Sequence, residues 1–444
     1  MALRFARRVE SLWPGSVGGR IMPVGSAGGM AGLCVLENPL CLLDGELMKN
    51  LITPWSLAWF VTFSACAAVA SAPAPLVRTA PAFPDIVAAP DRAGATPQRY
   101  SVLRGDFHIH TPHSDGELTP RERVEEAWEY GYDVLAITDH RNFTAYAEAL
   151  PVAEEFGLIL IRGMETGLHG MEHLVALDFA ADYVPRDPHS WADTEGESRV
   201  YYREQWRRLT DAGGFVLYAH PHVGLNGAGA WVAETGEPLD PPLRHRLREP
   251  IRWALAEGLL HGIEVRNHAT DRGWGIVRDR GTLWYPMALD WADEYGLTVF
   301  ANSDVHKSRA EDGNAHEPQS ATLLLVRERS PEGVMEALRA GRTVAHFAGL
   351  LCGRKDTVAT LVQGLTRVDL GSGPDGAGRV RIENLGPVAL TAEFRGADLK
   401  PVTVDAHQTA LVELAGAPEE LSITWTNALI RSTDSLVTVH RRAP

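Results

Sequence analysis

The sequence predicts an α/β protein: a closed or distorted TIM-like barrel of β/α units, followed by a small antiparallel β-sandwich. Three observations predict it. Between Tyr100 and about Val344, short apolar runs without alternation are separated by stretches with helical spacing, as in a parallel sheet covered on both faces. From Arg379 the texture changes to alternation, punctuated by Gly, Pro, Asp or Asn. His, Asp or Glu lies at the end of most apolar runs of the first region, and strand ends are where a parallel barrel gathers its functional groups.

The N-terminal part reads as an export leader. No charged residue occurs from Leu51 to Val77, and Met48-Lys49-Asn50 precedes that run. A short positive start, an apolar centre and a small-residue end are the layout of a signal peptide, with cleavage expected after Ala67 or Ala70. Met48 is read as the start, and residues 1–47 as an upstream extension. Lipid attachment at Cys66 and retention as a membrane anchor are variants of the same reading. All of them place the body outside the cytoplasm, periplasmic or secreted. The stretch from Ala72 to Gln98 is Ala- and Pro-rich and predicts a stiff linker. Loss of the leader would leave Cys352 alone among the four cysteines, so no intramolecular disulfide is expected.

The domain boundaries expected are therefore 1–72 for extension and signal, 73–99 for the linker, 100–345 for the barrel, 346–370 for a connector and 371–444 for the sandwich. In the barrel, Val102–His110 reads as the first strand. Thr119-Pro120 supplies an N-cap and first-turn proline for a helix running from Arg121 to Tyr130. Further strands are expected at Val134–Ile137, Leu158–Ile161, His173–Leu177, Phe215–Tyr218, Gly262–Val265, Thr298–Ala301 and Thr322–Val326. Helices are expected at Arg203–Ala212 and Leu283–Tyr295, and another begins at Ser330-Pro331-Glu332. The alternating runs beginning at Arg379, Leu390, Val402, Leu411, Leu421 and Leu436 suggest an immunoglobulin-like sandwich.

Charge narrows the function. With 42 basic and 57 acidic residues the net charge is −15, which repels phosphate backbones and argues against a dedicated nucleic-acid binder. A small anionic substrate is not excluded, because bound cations reverse the local field.

The chemistry-bearing residues come in order along the chain. Asp106-Phe107-His108-Ile109-His110 sets two histidines on one face of a strand end. A turn carrying Asp115 follows. Later strands end in Thr138-Asp139-His140, Gly163-Met164-Glu165, Ala219-His220-Pro221-His222 and Asn302-Ser303-Asp304-Val305-His306, and one begins at His173. Gathered at one mouth, these carboxylates and imidazoles would be costly without cations to pair them. Mixed nitrogen and oxygen donors suit Zn, Mn or Fe and exclude a thiolate site.

On these motifs the sequence resembles the PHP family, named after polymerase and histidinol phosphatase. The resemblance covers about Tyr100 to Val344. It implies a distorted seven-stranded β/α barrel holding two or three divalent metal ions. Carried over by position, His108, His110, Glu165 and Asp304 would hold one ion. A second would share Glu165 and add His173 and His220, with His169 as the fallback for His173. The third would take Asp115, His140 and His306. The implied activity is phosphate-ester hydrolysis, since close cations make water a stronger acid and offset charge developing on phosphorus.

Arg141, Lys307 and Arg266 are candidate phosphate contacts, Arg266 having Glu264 as a possible structural partner. His222 is expected to touch substrate or brace a ligand, Asp139 to orient an imidazole, and His113 to be surplus. The stretches from Asp182 to Glu197 and from Gly224 to Pro242 are expected to form a substrate lid; Trp191 and Trp231 in them, and Trp274 after the sixth strand, are candidates for stacking on a ring or sugar. The leading expectation is an exported phosphatase or phosphodiesterase with a small phosphorylated substrate. Its competitors are an exonuclease acting on oligonucleotides, a hydrolase of carbon–nitrogen or lactone bonds, and a non-catalytic cell-surface binding protein stabilised by metal.

Overall fold

The computed structural model describes residues 76–88, 97–168, 172–185, 195–221, 247, 249–267, 277–279, 282–311, 320–373 and 377–442. The expected leader, Cys66 and most of the proposed lid stretches lie outside these residues. Among the described residues no helix is long and apolar enough to cross a membrane.

The strands of the first region are β1 (Ile86–Ala88), β2 (Gln98–Asp106), β3 (Val134–Ile137), β4 (Ile159–Leu168), β5 (Glu172–Leu177), β6 (Phe215–Ala219), β7 (Gly262–Arg266), β8 (Val277–Asp279), β9 (Thr282–Trp284), β10 (Thr298–Ala301), β11 (Ala321–Val326), β12 (Thr343–Phe347) and β13 (Leu350–Gly353). Those that follow are β14 (Thr366–Ser372), β15 (Gly378–Asn384), β16 (Leu390–Phe394), β17 (Val402–Val404), β18 (Thr409–Leu414), β19 (Glu420–Leu429) and β20 (Ser435–Arg441). The helices are α1 (Pro120–Glu129), α2 (Ala145–Phe156), α3 (Glu195–Asp211), α4 (Glu249–Ala256), α5 (Pro286–Tyr295), α6 (Pro331–Arg339) and α7 (Lys355–Leu365).

The main sheet has 15 strands, in the order β10-β7-β6-β5-β4-β3-β2-β11-β12-β13-β19-β16-β17, with β1 beside β2 and β20 beside β19. It is mixed and open, which corrects the expected TIM-like barrel. The runs β2-β3-β4 and β6-β7-β10 are parallel, whereas β4-β5-β6 and β2-β11-β12 are antiparallel. Three residues separate β4 from β5, too few for a parallel crossover, which needs a dozen or more, so the chain must reverse. At the other end β10 has no backbone ladder to β11 or β12. Threonine hydroxyls span that seam instead. Thr322 Oγ1 accepts from Ala301 N at 3.0 Å and reaches Ala301 O at 3.1 Å, and Thr343 Oγ1 donates to Val299 O at 2.7 Å.

The local signals read from the sequence form as expected. Thr119 caps α1 in a reciprocal capping box with Glu122, and Pro120 occupies the first turn. Ser330 caps α6 by accepting from Gly333 N, followed by Pro331. A cap not singled out in the sequence is Gly157, whose φ of 67° turns α2 into β4 in a left-handed conformation that a Cβ disfavours.

The Pro- and Ala-rich stretch is only partly a spacer. Its β1 pairs antiparallel with β2, and Ile86 is buried against α7, where a Cβ on Gly364 would lie 2.6 Å from the Ile86 Cβ. Nor do the C-terminal strands form a free-standing sandwich. β13 pairs in parallel with β19, so β19, β16, β17 and β20 extend the main sheet. The separate β14-β15-β18 sheet shares one core with them, built on Val380, Ile382, Val412, Phe394, Ile423 and Trp425.

One buried group carries a pH signature. Burial, reinforced by the charge of Arg104, pushes the His346 pKa down to about 3. The unfolded chain therefore takes up a proton near pH 6.5 that the folded chain refuses, and stability falls on acidification through that window. His346→Leu is expected to flatten the acid limb between about pH 6.5 and 3 by roughly 1.4 kcal/mol per pH unit. Urea unfolding at several pH values measures it; parallel acid limbs in variant and wild type would refute it.

Candidate metal centre

The ends of the strands converge because each ligand-bearing segment continues the sheet by one more link. Past β2, Ile109 forms a parallel bridge with Val305, and past β3, His140 bridges Glu165 on β4. In the β4–β5 hairpin Gly167 faces His173, so Glu165 and His173 are diagonal neighbours on one face. The reversal that opens the sheet thus brings the start of β5 to the mouth where the other strands end. Backbone bonds lock the ligand segments together: Asp304 N donates to His108 O at 2.8 Å, Arg141 N to Glu165 O at 2.7 Å, and His220 N to Glu264 Oε2 at 2.6 Å. Those three donors have φ of 54°, 52° and 25°, left-handed values that cost non-glycine residues energy and persist only where the surroundings enforce them.

Glu165 is the hub. Its Oε2 lies 3.2 Å from His108 Nε2, His110 Nε2 and His140 Nδ1, and its Oε1 lies 2.7 Å from His173 Nδ1 and 3.1 Å from His220 Nε2. Asp304 Oδ1 closes the inner group, 3.3 Å from His108 Nε2 and 3.0 Å from His110 Nε2. Four atoms of this inner group, His108 Nε2, His110 Nε2, Glu165 Oε2 and Asp304 Oδ1, are buried without a hydrogen-bond partner among the described residues. Buried polar atoms are nearly always satisfied, and one shared positive centre would satisfy all four of these at once. Their spacing of 3.0–3.3 Å is close to what one needs: ligands at about 2.0–2.2 Å from a tetrahedral ion stand about 3.3–3.6 Å apart. The residues fit a divalent cation.

A second, more open group surrounds Asp115, whose carboxylate lies 3.5 Å from His140 Nε2, 3.4 Å from His306 Nε2 and 3.5 Å from His110 Nδ1. The grouping His140, Glu165 and His173 links the two. His220 reaches Glu165 closely but stands 3.9 Å from Asp304 Oδ2. All nine residues expected from the sequence therefore come together. The inner floor is sealed, with His108 and His110 side chains wholly buried, while His140, His173 and His306 are partly exposed and form a rim.

The electrostatics agree with a cation site. Burial opposes charge on His110, yet Asp304 and Glu165 carry its pKa up to about 9, and Asp304, Glu165 and Glu264 likewise raise His108 against its burial. Burial would raise Glu165, but His108 and His173 hold it well below the usual carboxylate range. Asp304 is held low against its burial by His108 and His110. Partial burial pushes Asp115 up, and His140 and His306 outweigh it. The carboxylates stay ionised and the imidazoles attract positive charge, which a metal would supply by displacing protons.

Several supporting residues carry no reading from spacing alone. Arg123 on α1 is buried, and its guanidinium donates to His110 O, Lys307 O and Val305 O, fastening both ligand segments. Asp106, the first residue of the histidine motif, is wholly buried and paired with Arg309 at 2.6 Å. Gly116 packs so closely beneath His110 that a Cβ would fall 2.4 Å from its carbonyl. Glu264, expected as a partner of Arg266, turns instead to His108 Nδ1 at 3.0 Å and to His220, Asn267 and Asn302. The sequence signal was a carboxylate set between the apolar residues Ile263 and Val265 of a strand.

Other expectations shift. Asp139 accepts from Thr111 N, Thr111 Oγ1 and Ser114 Oγ, so it shapes the turn before Asp115 rather than orienting the His140 ring. Lys307, a candidate phosphate contact, is paired with Glu117 at 3.5 Å on the exposed surface. Arg141 is exposed, and its backbone does the anchoring described above. His113 binds Thr144 and Glu148, away from the inner group. Arg266 is buried, with Nη1 on Asn267 O. His222, His169, Trp191, Trp231 and Trp274 lie outside the described residues.

Comparison with known proteins follows the same pattern. A family model described as PHP domain matches residues 106–218. The chain is 42% identical over 77 residues to a 5'-3' exoribonuclease of Haemophilus influenzae, covering 17% of this chain and 28% of that one. It is 36% identical over 70 residues to a 3',5'-nucleoside bisphosphate phosphatase of Chromobacterium violaceum, covering 16% and 25%. The chain thus spans about a quarter of the length of these curated relatives. Among solved structures, a two-domain protein from Bacteroides vulgatus, described as containing a predicted PHP-like metal-dependent phosphoesterase, matches at a TM-score of 0.63 and 23% identity, over 83% of this chain and all of that one. That likeness is one of fold. Residues 106–218, which hold six of the nine converging side chains, match the PHP domain model.

Proposed function

We propose that this chain is an exported, metal-dependent hydrolase of phosphate esters whose substrate is a small phosphorylated compound. The observation that carries the reading is the set of four orphaned, buried donor atoms on His108, His110, Glu165 and Asp304. The relatives named above, one a bisphosphate phosphatase, support the same chemistry.

Zn, Mn or Fe held there would bind non-bridging phosphate oxygens and make water a stronger acid. The chain's own residues do the rest. The sealed floor keeps the inner ligands dry and rigid, so their charges act at low dielectric. The exposed rim of His140, His173, His306 and Asp115 is the side from which substrate approaches. Arg123 and Asp139 hold the segments bearing His110 and Asp115 in register with Asp304. We read the C-terminal strands as an accessory module of immunoglobulin-like type, and the net charge of −15 as favouring a small substrate over a polynucleotide.

Purified protein supplied with Mn or Zn should hydrolyse p-nitrophenyl phosphate or its diester, and H108A/H110A should not. Turnover of a lactone panel with no phosphate-ester turnover would overturn the reading. Faster release of nucleotides from an oligonucleotide end than from small esters would overturn the substrate class.

A further inference from the structure

We propose that Glu264 is the positioning residue that sets two metal ligands at once: the ring of His108 through its side chain, and the backbone of His220. This rests on the metal-dependent reading above and names a part of that site which the nine converging residues do not include.

Glu264 is wholly buried on β7, among apolar neighbours Ile263 and Val265 that the strand also buries. A carboxylate has about four acceptor positions, and here each oxygen faces two nitrogen donors. Oε1 accepts from Asn302 Nδ2 at 2.8 Å and faces His108 Nδ1 at 3.0 Å. Oε2 accepts from Asn267 Nδ2 at 2.8 Å and from His220 N at 2.6 Å. A carboxylate can only accept, so the short contact to His108 requires a proton on Nδ1. The lone pair of His108 is then left on Nε2, the atom that is orphaned and faces Glu165 and Asp304. Asn267 Nδ2 also lies 3.4 Å from His108 Nδ1, but its shorter bond is to the carboxylate.

The bond to His220 N does a different task. His220 has a φ of 25°, a sparsely allowed value for a residue with a Cβ. Its N–H is aimed at Glu264 Oε2, and this geometry places Nε2 at 3.1 Å from Glu165. One carboxylate therefore fixes the tautomer of a floor ligand and holds the strained backbone of a second. Asn302, two residues before Asp304, ties the same carboxylate to the β10 end. Carboxylates that orient ligand imidazoles in this way typically change metal affinity or activity by roughly 10–100-fold when removed.

The test uses the full chain and two readouts besides turnover. In protein labelled with ¹⁵N-histidine and loaded with ¹¹³Cd, His108, assigned by loss of its signals in H108N, should show a cadmium coupling at Nε2 and a slowly exchanging Nδ1–H. Coupling at Nδ1 would overturn the proposal, and this measurement needs no folded variant of Glu264. In parallel, E264Q, which keeps the size but turns one acceptor oxygen into a donor, should weaken Zn binding roughly 10–100-fold by competition with a chromophoric chelator. Unchanged affinity and stoichiometry in folded E264Q would also overturn it. Wild-type protein that binds no Zn or Cd would refute the metal-dependent reading itself, whereas equal binding by wild type and E264Q removes only the role given to Glu264.

Discussion

Glu165→Gln is expected to lower kcat/KM for a phosphate ester by about a thousandfold or more and to release bound metal. The size follows from the position of the side chain. Five imidazoles face its two oxygens at 2.7–3.2 Å, so the one carboxylate belongs to both the inner group and the neighbouring one. The amide keeps the volume but loses the negative charge, and half of its polar surface becomes a donor pointed at ring nitrogens. Among the described residues no neighbour replaces it, because Asp304 is already committed to His108 and His110. Steady-state kinetics with saturating Mn or Zn, together with metal content after gel filtration, measure the effect. Turnover within tenfold of wild type and full metal content would contradict the hub role.

Arg309→Met is the change expected to cost most in stability, about 3–5 kcal/mol, because it strands a buried carboxylate. Asp106 is wholly buried, and Arg309 is its partner at 2.6 Å; the same guanidinium stacks on Tyr132 at 4.8 Å from the ring centroid. The Asp106 Oδ1 atom meanwhile accepts from His108 N and Ser303 N, one link before Asp304. The pair thus joins the two ligand-bearing segments from below. D106N/R309M should lose less than the sum of the single changes, since removing both partners leaves no uncompensated charge. Urea unfolding of the four proteins gives the cycle. A loss under about 1 kcal/mol for Arg309→Met would show that the pair contributes no more than a surface ion pair.

The site was more legible in the sequence than the sheet that carries it. His108, His110, Asp115, His140, Glu165, His173, His220, Asp304 and His306 announce themselves because rare residue types recur beside apolar runs, after the ends of the parallel strands and, for His173, at the start of the reversed β5, which lies at the same mouth. Direction itself is not written in such runs. The β4–β5–β6 reversal depends on a link of three residues, and the open seam at β10 depends on Thr322 and Thr343, which read as ordinary strand threonines. Capping signals at Thr119 and Ser330 were legible because they act within four residues.

What escaped is what acts at long range. Arg123 and Arg309 lie in polar stretches where an arginine reads as solvated, yet both bury their charge against partners more than 180 residues away. Lys307, whose place beside His306 suggested substrate, is paired with Glu117 at the surface. Likewise β1 joins the sheet although Ala- and Pro-rich composition reads as spacer, because Ile86 finds the gap left by Gly364.

The most direct measurement is the transition-metal content of purified, folded protein, by elemental analysis before and after chelation and by titration of the chelated form. Two or three divalent ions per chain are expected in the wild type, falling by at least one in H108A/H110A. Folded wild-type protein that contains no transition metal and takes none up on titration would contradict the cation site, and the proposed hydrolase with it.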